Sequence, residues 1–134
     1  MEYLFDHEKL KAYQSAIQFV AWVTPLIDKL EKSKSVRDQL DRASTSVPLN
    51  IAEGNAKFSM KDRCRYLDIA SGSAVECAAA LDVLVAQQRL KHDEIRDGKL
   101  ILKQIVSLVI GLRGEAQSRI AEEILPYGES AKEE

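Results

Sequence analysis

Between Met60 and Leu90, apolar and small residues recur every three or four positions: Cys64, Leu67, Ala70, Ala74, Cys77 or Ala78, Leu81 and Leu84. That interval places them on one stripe of an α-helix. Three other segments repeat it: Leu10, Tyr13, Ile17, Val20, Ile27 and Leu30; Val36, Leu40, Ala43, Val47, Ile51 and Gly54; and Ile95, Leu102, Ile105, Val109, Leu112 and Ala116. With 6 Gly and 3 Pro in 134 residues, the chain lacks the turn chemistry of a sheet protein. Long helices with short connections predict an all-α fold, an antiparallel up-down-up-down four-helix bundle. The expected helices span about 7–32, 36–56, 60–90 and 94–124 within one domain, 1–126, and 127–134 reads as a flexible acidic tail.

Local signals refine the ends. Asp6 is placed to cap the first helix, with Phe5 stapling onto Leu10; Ser35 with Asp38, and Ser59 with Asp62, resemble capping boxes at the next two starts. Pro25 and Pro48 fall inside helices, where each removes a backbone hydrogen bond and predicts a kink. The hydroxyls of Ser44 and Thr45 are placed to re-satisfy the turn at Pro48. Phe58 is the turn between the second and third helices.

Helices 1 and 4 carry more apolar surface than one stripe requires. Phe19, Trp22, Leu26, Ile101 and Leu108 form a second stripe, which predicts homo-oligomerisation with these five as interface candidates. The only cysteines, Cys64 and Cys77, lie about 20 Å apart on one helix and are too distant to bridge. Reduced thiols, no basic-then-apolar leader, and a longest apolar stretch (Leu100 to Leu112) interrupted by Lys103 and Gln104 predict a cytoplasmic protein that spans no membrane.

The formal charge of -2 excludes a surface that is basic throughout, yet the charge is unevenly spread. From Lys29 to Arg65 stand nine basic residues (Lys29, Lys32, Lys34, Arg37, Arg42, Lys57, Lys61, Arg63, Arg65) against five acidic (Glu31, Asp38, Asp41, Glu53, Asp62). Lys57, Lys61, Arg63 and Arg65 cluster at one hairpin end and are the candidate nucleic-acid contacts.

The polar residues concentrate between Gln39 and Glu76. If helices 2 and 3 fold back about Phe58, Arg42 faces Glu76 in a partly buried ion pair, Glu53 lies near Arg63, and Asn50 can hydrogen-bond near Tyr66. Gly72, mid-helix between Ser71 and Ser73, predicts close approach by a neighbouring group. The blocks RASTSVPLNIAEGNAKFS and YLDIASGSAVECAAALDVL resemble the two signature blocks of the bacterial four-helix-bundle proteins named for 23S rRNA intervening sequences, also called S23 ribosomal proteins. The resemblance runs from the Phe5 helix start through the fourth helix. It implies a homo-oligomer, a pentameric ring or barrel of bundles, without catalysis. Arg42, Asn50, Glu53, Gly54, Gly72, Ser73 and Glu76 belong to its signature and are expected to be structural. A related branch, the accessory variability determinants of diversity-generating retroelements, is similar in fold and acts with a reverse transcriptase and nucleic acid.

The expected function is thus a non-enzymatic, ring-forming interaction protein with RNA or a nucleic-acid-bound protein as partner, and with no cofactor or metal. The alternatives are a protein-recruitment scaffold, a retroelement-type accessory protein binding a reverse transcriptase, and a metal-carboxylate enzyme. The last needs Glu-x-x-His pairs facing inward, but Ala56 and Ala79 stand at that spacing after Glu53 and Glu76, and His7 and His92 lie near helix ends.

Overall fold

The computed structural model describes residues 2–124. Four helices, α1 (Lys11–Asp28), α2 (Lys34–Asn55), α3 (Met60–Ala86) and α4 (His92–Ile124), are joined by short connections, with 3-10 turns at Asp6–Lys9 and Glu31–Ser33. No strand occurs among the described residues. The expected acidic tail, 127–134, lies outside them.

Helix ends follow the available donors and acceptors. The chain before α1 does not form the expected helix start. The Glu8 carboxylate accepts from the N–H groups of Leu4 and Phe5, which tightens the segment into a 3-10 turn, and Leu10 then adopts an extended conformation before α1 begins. Asp6 caps nothing there. It accepts from Asn55 Nδ2 at 3.0 Å, and Phe5, 67% exposed, staples nothing. The Ser35–Asp38 box does not form either, because α2 already starts at Lys34 after Ser33. Ser33 Oγ instead accepts from Arg89 Nε at 3.1 Å.

The cap at α3 forms as its residues predict: Ser59 Oγ accepts from the Asp62 N–H at 3.3 Å. Its other end falls short of residue 90. Gln88 takes a left-handed φ of 61°, and the Arg89 and Gln88 N–H groups return to Leu84 O and Val85 O, both at 2.9 Å. This is a Schellman closure made without glycine. The Glu94 carboxylate then accepts from the Lys91 N–H at 2.9 Å and sets the start of α4. Both α1 and α2 run uninterrupted through Pro25 and Pro48. The Ser44 and Thr45 hydroxyls bond to carbonyls of Asp41 and Arg42, one turn before the Ser44 carbonyl that Pro48 leaves without its usual donor.

The core is built from Phe19, Leu40, Ile51, Leu81, Leu84, Ile95, Leu102 and Ile105, with the expected stripes of α2, α3 and α4 largely buried. The N-terminal part of α1 is rolled relative to its expected face: it buries Ala12, Ala16 and Phe19 and leaves Ile17 45% exposed, a turn of one residue or roughly 100°, whereas Ile27 and Leu30 are buried as expected. Ala12 and Ala16 allow close helix approach, and Phe19 then fills the centre; counting only large apolar residues hides that face.

Cross-helix pairs fix the register. Arg42 with Glu76 and Ser46 with Ser73 run antiparallel along α2 and α3, while Asp68 with Arg113 and Asp82 with Lys99 do so along α3 and α4. α1 meets α4 where the Trp22 indole lies on Gly98; a Cβ there would stand 2.3 Å from the ring. Among the described residues α3, not Leu100–Leu112, is the one helix long and apolar enough to cross a bilayer, although its inner stripe packs in the core. At 33 residues α4 is about 50 Å long, against about 27 Å for the 18 residues of α1.

Candidate functional site

The α2–α3 seam gathers most of the polar residues. Arg42 Nη2 meets Glu76 Oε2 at 3.3 Å, but the side chains are 69% and 42% exposed, so the partial burial expected for this pair is absent. Such a pair contributes under about 1 kcal/mol. One turn further in, Ser46 Oγ and Ser73 Oγ are 2.8 Å apart, and Asn50 Nδ2 donates to Ser46 O at 2.8 Å and Ser46 Oγ at 3.0 Å. Asn50 therefore turns back along its own helix rather than across to Tyr66. Ser46, unremarkable among neighbouring hydroxyls in the sequence, is the hub of this chain.

The two signature glycines differ. A Cβ at Gly54 would fall 2.9 Å from Tyr66 Cβ, so α3 presses against α2 at that point. Gly72 has nothing within 4 Å of its would-be Cβ and faces outward, contrary to the close approach expected there. A second tight helix contact lies at Gly98, which the sequence marks only by pairing one glycine with one distant tryptophan. Glu53 is exposed and makes no ion pair with Arg63 among the described residues. Arg63 Nε donates to Lys57 O at 2.9 Å and ties down the chain leaving α2.

At the basic hairpin end, Lys57 Nζ and Arg65 Cζ lie 5.1 and 5.0 Å from the centroid of the Tyr66 ring. Cation–π attraction holds both side chains near that ring. Lys61 is exposed and projects without an ion pair among the described residues. The four cations therefore do share one end of the hairpin, although one is engaged with backbone and two with an aromatic face. Beside them lies a cavity of about 320 Å³ whose wall carries Asp6, Asn55, Arg63, Glu115 and Arg119.

The interface candidates do not form an outward stripe. Phe19 is fully buried, Trp22 covers Gly98, and Leu26, Ile101 and Leu108 are half-buried against the core. The apolar excess of α1 and α4 closes one wide seam between them. Exposed aliphatic side chains lie on other surfaces: Ile69, Val75 and Val83 on α3, and Leu100 and Ile110 on α4. Sequence reading missed these because the outer face of α3 is diluted by glycine and alanine. A groove of about 770 Å³ runs along α3 and α4 with Val75, Ala78, Leu102 and Val106 in its lining and Arg96, Lys99 and Lys103 also along it. The spacing of those cations was its one sequence signal.

No three His, Cys, Asp or Glu side chains converge as a metal set among the described residues. Cys64 and Cys77 are buried, unbridged thiols on α3. Burial, with a smaller effect from the Glu76 carboxylate, pushes the Cys77 thiol up to about 12, so it holds its proton and is a poor nucleophile. His7 packs edge-on against Tyr13 with ring centroids 4.6 Å apart.

Together these features define the class: an all-α, four-helix protein with a hydrogen-bonded polar seam and exposed aliphatic surface on its last two helices. More narrowly, the chain belongs to the 23S rRNA-intervening sequence protein family, whose model matches residues 8–111. A solved structure from Bacteroides thetaiotaomicron, described as a protein of unknown function from the S23 ribosomal protein family, shares the fold. It is 21% identical with a TM-score of 0.70, over 76% of this chain and 97% of that one. The comparison with curated proteins returned no match.

Proposed function

We propose that this chain is a non-enzymatic interaction protein of the cytoplasm, an up-down-up-down bundle that self-associates into a ring, with five subunits as the family resemblance suggests. The observation that carries the reading is the outer face of α3. Ile69 and Val83, 45% and 41% exposed, flank Gly72 and Ala79 at helical spacing, with the Arg42–Glu76 pair between them, on a surface that is otherwise uncovered among the described residues. Small residues between aliphatic ones let a second helix approach closely, and removing this surface from water favours association.

Sedimentation velocity tests it. Five copies of a 15.0 kDa chain have a mass of about 75 kDa, the expected species, and Ile69→Glu with Val83→Glu should reduce it to 15.0 kDa with helical circular dichroism intact. A wild-type monomer at tens of micromolar refutes self-association.

RNA is the second reading, favoured by Lys61 beside Lys57 and Arg65 at one hairpin end. A ring repeats that end and multiplies weak phosphate contacts. Filter binding to structured RNA should weaken with salt and with Lys61→Glu; affinity that ignores both refutes it. If RNA binding fails while co-purifying proteins persist after nuclease treatment, a protein-recruitment scaffold, including one for a reverse transcriptase, takes its place.

A further inference from the structure

We infer that the groove between α3 and α4 docks an acidic amphipathic helix from another polypeptide; this extends the interaction-protein reading by naming a partner class. The groove does not complete the core and is separate from the seam and the basic hairpin end. Its aliphatic lining includes Val75, Ala78, Leu100 and Val106 above the buried Leu102, and among the described residues His92 supplies its one ring. Nucleotide binders use aromatic platforms for bases. Aliphatic side chains are what this lining accommodates.

The charge is arranged in a row. Arg96, Lys99 and Lys103 follow one another on α4 at i, i+3 and i+7, spanning about 10 Å along the groove. Lys99 is taken by Asp82 at 2.7 Å, whereas Arg96 and Lys103, two turns apart, make no ion pair among the described residues. Asp93 is the one carboxylate in the lining among the described residues and Asp82 neutralises Lys99, so three cations less two anions leave +1 in a chain whose formal charge is -2. From His92 to Ser107 the groove follows α4 for about 22 Å, the length of four helical turns. An incoming helix with Leu or Ile at i, i+3, i+4 and i+7, and carboxylates two turns apart along one flank, matches both the lining and the row. Opposite charges along that flank fix its position and orientation.

The test uses the full-length chain and a fluorescein-labelled synthetic peptide of about 15 residues, built with a leucine face and glutamates on one flank, read by fluorescence anisotropy. Its twin carries lysine at every glutamate. The acidic peptide should bind at least tenfold more tightly than the twin. Arg96→Glu with Lys103→Glu should remove that preference, and the exposed Leu100→Ser should weaken both peptides. Equal affinity for the twins, or no effect of the double substitution, overturns the proposal. So does a single-stranded RNA that the double substitution releases while the acidic peptide fails to bind, which assigns the groove to nucleic acid. Loss of self-association in the double variant, with no peptide binding by the wild type, assigns it to a second copy of the chain and overturns the proposal too. Peptide binding by a chain that sediments as a monomer upholds the groove and refutes only the ring.

Discussion

Gly98→Ala is the substitution whose sign the structure decides against intrinsic helix propensity. In an open helix interior, glycine to alanine stabilises by about 1 kcal/mol. At Gly98 the new methyl would lie 2.3, 2.4 and 2.8 Å from three ring carbons of Trp22, and a rigid indole cannot bend away as a flexible chain end would. Either the helices move apart or the ring leaves. Expelling a half-buried tryptophan exposes about 100 Å², worth about 2.5 kcal/mol, and this lies within the ~1–3 kcal/mol cost typical of overpacking. Offsetting the propensity gain leaves a net loss of about 1.5 kcal/mol. Gly111→Ala, also on α4 but with nothing within 4 Å, should gain about 1 kcal/mol. Thermal unfolding by circular dichroism should therefore separate two identical substitutions by about 10 °C. Trp22→Leu should soften the Gly98→Ala penalty because the two sites share one contact. If both single alanines raise the melting temperature, the indole does not rest on Gly98 and the α1–α4 seam described above is wrong.

Gln88→Gly should stabilise by about 1 kcal/mol in urea denaturation, because Gln88 holds a φ of 61° that glycine adopts without strain; a loss would show that its side chain contributes more than its backbone costs. Arg42→Ala should cost under about 1 kcal/mol, since its partner Glu76 stays hydrated, and a loss of several would mean that the seam is covered in the assembled protein. Cys77 has a folded pKa raised from 9.0 to about 12, so the folded state holds its proton longer than the unfolded state does. Its contribution is therefore intact below about pH 9 and lost as the pH climbs toward 12; Cys77→Ala should flatten that part of the stability profile, and an unchanged slope refutes the assignment.

The hairpin was legible because its signals are local. Ser59 and Asp62 mark the α3 start, Phe58 centres the turn, and the stripe of α2 contains few competing apolar positions, so its register and the Arg42–Glu76 pair follow from counting. The orientation of α1 was not legible in the same way. Its apolar residues surround much of the helix, and the decision falls to Ala12 and Ala16, whose value lies in letting neighbours approach rather than in their own hydrophobicity. The same ambiguity sent Phe19 to an expected interface when it fills the core. Ser35 with Asp38 had the composition of a cap but lost to a helix that starts two residues earlier than expected, at Lys34. Gly72 and Gly98 are indistinguishable as letters, and only the distance to Trp22 separates an open position from a closed one. Likewise the α3–α4 groove needs two helices in register before its cations and aliphatic side chains become neighbours.

The length mismatch between α1 and α4 divides the molecule unequally. Trp22 over Gly98 and the shared cavity wall of Ala12 and Gly111 show that α1 accompanies α4 only to the neighbourhood of Glu115. Past Ala116, the last buried residue of α4 among the described ones, Gln117, Ser118 and Arg119 are exposed and Ile120 is half-buried. Amide exchange there should be governed by opening of the terminal turns rather than by global unfolding. The cooperative unit of this bundle therefore ends before its longest helix does. A neighbour that captured those last turns could bend, extend or melt them without drawing on the stability of the core.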